Sequence, residues 1–235
     1  MAVAVVTGAS RGLGLELVVR LAAERAVVGI SRQAPEDERW LRLESESRAR
    51  HVAGDVAEPA TVGAAFREAE RLGKVDIVVN CAGSGVFAAA AEIAPRDVVE
   101  TVRANVVGLI LFSQAAYERL GASGGTLVNV LSTAALVPRA DETVYCASKW
   151  GARGFTESLR LEAAGSAMSI LAVYPGGMRT SFWRRARGQP AADDARFMDP
   201  GEVAATIVAA LPRQGGAIVS ELTIARPAGK GASSS

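Results

Sequence analysis

Short apolar runs alternate with amphipathic stretches along the chain. The first run, Ala2–Val6, contains no polar residue, as is typical of a strand buried on both faces of a parallel sheet. Between such runs, apolar side chains recur at helical spacing. The pattern predicts strands at Ala2–Val6, Ala26–Ile30, Arg50–Ala53, Val75–Val79, Thr126–Leu131 and Ser169–Val173, and helices near Gly12–Glu24, Pro59–Leu72, Arg96–Leu120 and Tyr145–Ala164.

This alternation favours an α/β fold, in which right-handed crossovers build a doubly wound parallel sheet (a Rossmann fold) with helices on both faces. No linker or repeat divides the 235 residues. We therefore expect one domain over residues 1–227, with a substrate lid at about 179–199 and a flexible Gly/Ser tail at 228–235. The segment Asn105–Phe112 is apolar almost all the way round its helix, so its outer face needs cover. A partner subunit would provide it, which predicts a homo-oligomer (dimer or tetramer); the alternative is cover from the same chain.

Composition narrows the function. The formal net charge is +1, which gives no reason to expect nucleic acid or an anionic membrane as a partner. The chain has two distant cysteines, Cys81 and Cys146, and a single histidine, so we expect no metal site and a reducing compartment. We see no signal peptide and no apolar run near the ~20 residues that span a bilayer, which predicts a soluble cytoplasmic protein.

A glycine-rich turn, Thr7–Gly14, lies between the first strand and the first helix. Glycines at such a turn let the backbone approach a pyrophosphate, whose charge the helix N-terminus stabilises. The turn therefore predicts a dinucleotide site; the alternative is a purely structural strand–helix turn. The second strand ends at Ser31-Arg32 without the acid that usually binds the ribose 2′-OH in NAD sites. Arg32 and Arg11 could instead pair with a 2′-phosphate, which favours NADP(H), unless both are ordinary surface arginines.

Tyr145 and Lys149 stand at i and i+4 and so share a helix face. A neighbouring ammonium lowers the pKa of a phenol, so we expect Tyr145 to act as an acid–base group. Ser132 ends a predicted strand thirteen positions earlier, where it could donate to the substrate oxygen. Asn105 is a polar residue in an apolar helix. It could hold a water that links Lys149 to solvent, or its amide could be satisfied locally.

Taken together and in order, these segments resemble the compact, NADP-preferring members of the short-chain dehydrogenase/reductase family over residues 2–211. The resemblance implies catalytic roles for Asn105, Ser132, Tyr145 and Lys149, with Lys149 also on the nicotinamide ribose. It implies that Asp55 and Val56 meet the adenine, and that Thr180 and the backbone after Pro175 meet the carboxamide. The residues expected to bind the cofactor are Gly8, Ser10, Arg11, Gly12, Leu13, Gly14, Ser31, Arg32, Asp55, Val56, Asn80, Ala82, Gly83, Tyr145, Lys149, Pro175, Gly176 and Thr180.

The predicted function is reduction of a small-molecule ketone, aldehyde or 3-oxo compound with NADPH, or the reverse oxidation of an alcohol. Segments 84–92, 134–143 and 179–199 should border the substrate, and arginines of the last could attract an acid or form a solvated surface. Cys81 and Leu131 depart from the residues usual in the family, and the C-terminus lacks the Asp-Gly-Gly ending of many acyl-carrier-protein reductases. Alternatives are a 3-oxoacyl-carrier-protein reductase, a non-catalytic NADP-binding redox sensor, and a sugar-nucleotide epimerase or dehydratase, for which the region after Thr180 is short.

Overall fold

Seven parallel strands form one sheet in the computed structural model of the protein, which describes residues 1–188, 197–212 and 217–226. The order β3-β2-β1-β4-β5-β6-β7 reverses direction between β1 and β4, where such sheets open a crevice for ligands. The predicted fold class is confirmed. The strands are β1 (Ala2–Thr7), β2 (Ala26–Ser31), β3 (Ala49–Ala53), β4 (Lys74–Asn80), β5 (Gly125–Val130), β6 (Met168–Pro175) and β7 (Glu221–Ile224).

Helices cover both faces of the sheet. The six strands expected from apolar runs lie within two residues of their predicted bounds, whereas β7 and three of the helices (α2, α7 and α8) were not predicted. The first helix ends at Leu21, three residues earlier than expected. The helices are α1 (Gly12–Leu21), α2 (Glu38–Ser45), α3 (Pro59–Leu72), α4 (Pro95–Val102), α5 (Gly108–Ser123), α6 (Thr143–Glu162), α7 (Phe182–Arg187) and α8 (Pro200–Ala209).

Strand β1 shows why the sheet is apolar on both sides. Val3 and Val5 point into one core, and Ala4 and Val6 point into the other. The first core lies under α3 and α5, and the second lies under α1 and α8. Because successive side chains of a strand face opposite ways, a strand between two helix layers needs an unbroken apolar run. This arrangement leaves the carboxyl ends of the strands as the edge on which polar side chains gather.

Helices α4 and α5 are joined by a π-helical turn, Arg103–Val107, into one helix from Pro95 to Ser123. Within the described residues this is the one helix that is long and apolar enough to cross a membrane, with a mean hydropathy of 1.3. The sequence alone predicts no apolar run near the ~20 residues that span a bilayer, whereas this helix meets that criterion by length and composition. Phe112, Ala116 and Leu120 are fully buried against the sheet, as in the core helix of a globular domain.

Candidate active site

A cavity of about 1180 Å³ lies along the carboxyl ends of the strands. The structure brings almost every predicted site residue to its wall. The exceptions are Asn80 and Asn105, which lie behind the wall. The predicted residues that line it are Gly8, Ser10, Arg11, Gly12, Leu13, Gly14, Ser31, Arg32, Asp55, Val56, Ala82, Gly83, Ser132, Tyr145, Lys149, Pro175, Gly176 and Thr180.

The glycine turn is packed too closely for side chains. A Cβ on Gly8 would lie 2.8 Å from the Cα of Ala82, and its φ of +71° is one that other residues rarely adopt. A Cβ on Gly14 would collide with the carbonyl of Gly8. The glycines of the turn therefore present bare backbone, beside the start of α1, to the cavity. This is the cradle that a pyrophosphate requires, so the residues present fit a dinucleotide.

Thr7 ties this turn to the loop after β4, and we did not predict its role. Its Oγ1 accepts hydrogen bonds from the backbone N–H groups of Cys81 and Ala82, both at 3.0 Å. Gly8 donates to the carbonyl of Ile30 at 2.8 Å, which ties the turn to β2 as well. The signal in the sequence was slight: a hydroxyl side chain at the end of an otherwise apolar strand.

Asn80 supports the site from within the sheet rather than from the cavity wall. It is 3% exposed, and its Nδ2 donates to Asn129 Oδ1 at 2.9 Å and to Ser113 Oγ at 3.0 Å. Asn129 donates in turn to Thr156 Oγ1 at 3.0 Å. This chain of buried polar groups joins β4, β5, α5 and α6. Asn129, Ser113 and Thr156 were not predicted, because nothing in their spacing shows that they meet.

Asn105 lies in the π-helical turn and is 1% exposed. Its Oδ1 accepts from the Ser84 N–H at 2.8 Å, and its Nδ2 donates to the Ser84 carbonyl at 2.8 Å and to Ser148 Oγ at 2.9 Å. A Cβ on Gly83 would lie 3.3 Å from Asn105 Oδ1 and 3.8 Å from Lys149 Nζ. The carboxamide is thus satisfied by protein groups from distant segments, and Gly83 separates it from Lys149.

Three groups able to move or orient a proton meet at one end of the cavity. Ser132 lies two residues after the end of β5, and Tyr145 and Lys149 lie one turn apart near the start of α6. The Ser132 hydroxyl accepts from the Ala134 N–H at 3.1 Å and lies close enough to the Tyr145 hydroxyl to lower its pKa. The buried Lys149 donates from Nζ to the Val130 carbonyl at 3.2 Å. Strand β5 and helix α6 therefore deliver these groups to the same place.

Burial shifts the pKa values of the two titratable groups in opposite directions. It raises the pKa of the Tyr145 phenol to about 12, and the hydrogen bond with Ser132 opposes this only in part. Burial lowers the pKa of Lys149 to about 8. The expectation was a Tyr145 pKa below its usual value; the structure gives the opposite direction, because desolvation by burial is the largest effect on the phenol. The phenol is protonated at neutral pH.

The thiol of Cys81 is also held neutral. Burial raises its pKa to about 12, so the thiolate that would act as a nucleophile or metal ligand is disfavoured. Cys81, which differs from the residue usual at this position in the family it resembles, therefore behaves as a small apolar residue. Within the described chain, no three His, Cys, Asp or Glu side chains come together as a metal site would require.

The adenosine end of the cavity carries the residues predicted to choose the cofactor. Arg32 forms an ion pair with Glu100 of α4 at 3.1 Å, and both side chains are about half exposed. Ser31 donates to the Gln33 carbonyl at 2.8 Å and contacts His51 Nε2 at 2.9 Å. Arg11 lies on the same wall of the cavity. Both arginines therefore line the same cavity.

The predicted lid is described as far as Gly188 and again from Phe197; residues 189–196 lie outside the described part. Its helix α7 packs over Tyr145, with the rings of Phe182 and Tyr145 5.6 Å apart. Two of the lid arginines are paired with carboxylates of this chain: Arg179 with Asp199 at 3.3 Å, and Arg187 with the buried Glu142 at 3.5 Å. Glu142 lies 4.0 Å from Arg139 as well, and burial raises its pKa. The predicted tail at 228–235 also lies outside the described residues.

Comparison with known proteins agrees with this geometry. A family model described as short chain dehydrogenase matches residues 2–191. The chain is 34% identical to a D-threitol dehydrogenase of Mycolicibacterium smegmatis, over 88% of this chain and 84% of the relative. It is 36% identical to the granaticin polyketide synthase putative ketoacyl reductase 1 of Streptomyces violaceoruber, over 79% and 71%. A short chain dehydrogenase from Burkholderia cenocepacia in complex with NADP is 31% identical, with a TM-score of 0.83 and coverage of 94% and 95%.

Proposed function

Because the chain belongs to the short-chain dehydrogenase/reductase family, we propose that it is an NADP(H)-dependent oxidoreductase acting on CH–OH donors. It would reduce the carbonyl of a small molecule to an alcohol, or catalyse the reverse reaction, with Tyr145 as the acid–base group. The observation that carries this proposal is the convergence of Ser132, Tyr145 and Lys149 at one end of a cavity whose other end is a glycine cradle.

The cofactor proposal rests on the fit of the cavity wall. Gly8, Gly12 and Gly14 would hold the pyrophosphate, and Arg11 and Arg32 would bind the 2′-phosphate, for which the guanidinium fork is suited. Asp55 and Val56 would meet the adenine, Lys149 the ribose, and Thr180 with the backbone after Pro175 the carboxamide. The solved relative that holds NADP supports this choice. Asn80, Ala82 and Gly83 would support the channel, with Asn80 acting through its hydrogen-bond network.

A bound nicotinamide would supply the hydride for reduction or accept it in oxidation. In reduction, the protonated phenol of Tyr145 donates its proton to the carbonyl oxygen as negative charge develops there. Ser132 orients that oxygen by hydrogen bonding, and its position beside the phenol supports this role. Lys149 favours the phenolate once the proton has left, since a cation nearby stabilises an anion. We propose that Asn105 keeps Gly83 and Ser84 in place beside Lys149, where a water could return the proton.

A 3-oxoacyl compound is the more specific candidate substrate. It is favoured by the 36% identity to the putative ketoacyl reductase of the granaticin system. A β-keto thioester would present its ketone to Tyr145 in the same way as a simple ketone. The non-catalytic redox sensor is the other candidate, and turnover separates the two.

The remaining proposals concern assembly and location. We propose a homo-oligomer, because Val102 and Val107 expose apolar side chains of the long helix outside the cavity, which a second copy would cover. We propose a small-molecule substrate, and we propose neither nucleic acid nor a membrane as a partner. We propose a cytoplasmic location, which two free cysteines support.

The first experiment is a titration of the purified protein with NADPH and with NADH, followed by nicotinamide fluorescence. Ketones, aldehydes and β-keto esters are then added, and consumption of NADPH is measured. We expect tighter binding of NADPH than of NADH and oxidation of NADPH by at least one carbonyl compound. Binding without turnover across the set would favour the sensor. Failure to bind either nucleotide would contradict the proposed function.

A further inference from the structure

The aromatic side chains of this chain are concentrated around the reacting phenol. Of its six Phe, three Trp and three Tyr residues, five form one contiguous cluster: Phe87, Tyr145, Phe182, Trp183 and Phe197. The ring centroids of Phe87 and Tyr145 are 5.3 Å apart, and those of Trp183 and Phe197 are 4.8 Å apart. Three of these residues, Phe87, Phe182 and Trp183, line the cavity beside Tyr145.

These rings differ from the aromatic residues of the cores. Phe112 and Trp40 are fully buried, as are Phe66 and Tyr174 to within 1%. Phe87, Phe182 and Trp183 are only half-buried, although each of these rings contacts the other two. Aromatic groups that a fold leaves partly open inside a concave site are typical of ligand-binding walls. The cluster therefore offers ring surface to whatever enters the cavity.

The cluster is held in place from behind. The guanidinium of Arg187 stacks on Phe87 at 5.1 Å and on Trp183 at 5.4 Å from the ring centroids. Trp183 Nε1 donates to the Met178 carbonyl at 2.8 Å. A Cβ on Gly85 would lie 2.8 Å from Phe182, so the missing side chain lets that ring approach Tyr145. Walls fixed in this way lose little freedom when a rigid ligand binds.

The charged groups near the same end of the cavity form ion pairs with one another. Glu142 is engaged by Arg187 at 3.5 Å and faces Arg139 at 4.0 Å, and Arg139 also donates to Thr133 Oγ1 at 2.7 Å. Glu142 offsets only one of the two arginine charges, so a net positive charge remains near this end. Phe87 and Phe182 contact the Tyr145 ring directly, and recognition beside Tyr145 is therefore assigned to the rings.

We infer that the substrate is a carbonyl compound whose C=O belongs to a fused ring system containing a flat aromatic ring. This inference rests on the proposed reductase function and narrows its substrate class. A planar ring packs on half-buried aromatic side chains in offset or edge-to-face contacts, which a saturated ring of the same skeleton makes less well. A flexible chain would in addition lose rotational freedom on binding. Hydride addition to the carbonyl carbon and proton transfer from Tyr145 remain as described above.

The test compares 2-tetralone with 2-decalone. They share a bicyclic skeleton, and the carbonyl is conjugated with a ring in neither, so they differ mainly in flatness. We expect kcat/KM with NADPH to be about tenfold or more higher for 2-tetralone. Phe87→Leu and Trp183→Leu should each reduce this preference about 3- to 10-fold. Trp150→Leu, which removes an aromatic residue on the exposed side of α6, should leave it unchanged.

A second measurement does not depend on the folding of variants. 2-Naphthol, which is flat and cannot be reduced, should inhibit the wild-type enzyme at a concentration at least about tenfold lower than 2-decalol. Equal kcat/KM for the two ketones, or equal losses for both in Phe87→Leu, would overturn the inference. Reduction of acyclic carbonyls but of neither bicyclic ketone would overturn it while the proposed function stands. Absence of NADPH oxidation with every carbonyl would overturn both.

Discussion

Lys149 lies one helical turn after Tyr145, with its Nζ 5.9 Å from the centroid of the phenol ring. Burial favours the neutral form of each group: it raises the pKa of Tyr145 to about 12 and lowers the pKa of Lys149 to about 8. The pair is thus set with its proton on the phenol. In the proposed mechanism, reduction would use that proton directly, whereas oxidation would first require its removal.

The first prediction concerns the proton donor. Tyr145→Phe removes the hydroxyl but keeps the ring that packs against Phe87 and Phe182. We expect kcat for carbonyl reduction to fall about 10²- to 10⁴-fold, the usual contribution of general acid catalysis. The Kd for NADPH, measured by fluorescence, should change less than about threefold. A near-normal kcat would show that another group supplies the proton.

The second prediction is a difference in pH dependence between the two directions. Below the pKa of Tyr145 the phenol stays protonated, so kcat for reduction should be nearly constant from about pH 6 to 8. Oxidation requires the phenolate, whose fraction grows about tenfold per pH unit in the same range. Initial rates in both directions across this range check the sign. An oxidation rate independent of pH would contradict the assignment.

The third prediction is that the buried Lys149 lowers the free energy of unfolding. Lys149 has a lower pKa in the folded protein than when unfolded, so burying its charge is unfavourable below about pH 8, and this cost fades as the pH rises toward the ordinary pKa of 10.5. Lys149→Met should therefore raise the free energy of unfolding by about 1–3 kcal/mol at pH 7. The gain should shrink as the pH approaches about 10.

Urea denaturation at the two pH values measures this effect. Lys74→Met is the matched control, because Lys74 is exposed and should show little change. If Lys149→Met destabilised the protein equally at both pH values, the ammonium would be making more favourable contacts than its hydrogen bond to Val130.

The fourth prediction concerns the choice of cofactor. Arg32→Asp should weaken NADPH binding by about 10²-fold while changing NADH binding far less, because the charge-assisted hydrogen bonds of an arginine fork to the 2′-phosphate are lost and a carboxylate repels it. Glu100→Gln should act in the opposite direction. It frees Arg32 from its present ion pair and should tighten NADPH about 2- to 5-fold, within the range of an exposed ion pair. Equal effects on both cofactors would place recognition of the 2′-phosphate elsewhere.

The fifth prediction concerns the attachment of α7. The Glu142–Arg187 pair joins the start of α6 to α7, and the Phe87 N–H donates to the Ala186 carbonyl at 2.8 Å beside it. Arg187→Gln and Glu142→Gln should each raise KM about 3- to 10-fold, since the helix packs less firmly over the site. The double variant should be no worse than either single one. Additive losses would mean that the two residues act separately.

The sequence predicted the features that depend on local residue patterns and missed those that depend on contacts between distant segments. Strands buried on both faces are continuous apolar runs, so six of seven were found. Strand β7 is at the sheet edge, where its side chains are exposed or half-buried, and its pattern is correspondingly weak. The pKa of Tyr145 was predicted in the wrong direction because its burial comes from Phe87 and Phe182, which are distant in sequence. The hydrogen bonds of Asn80 and Asn105 likewise join segments whose meeting no spacing reveals.

The π-helical turn at Arg103–Val107 has a consequence for insertions and deletions. A π turn contains one residue more than the α-helical turn it replaces. Deleting a residue there would restore a regular hydrogen-bond ladder, yet it would rotate the preceding helix by about 100° relative to α5. Asn105 would then leave Ser84 and Ser148, and Glu100 would leave Arg32. The phase of one long helix therefore sets both ends of the cleft, and the less favourable helix geometry is what keeps them in register.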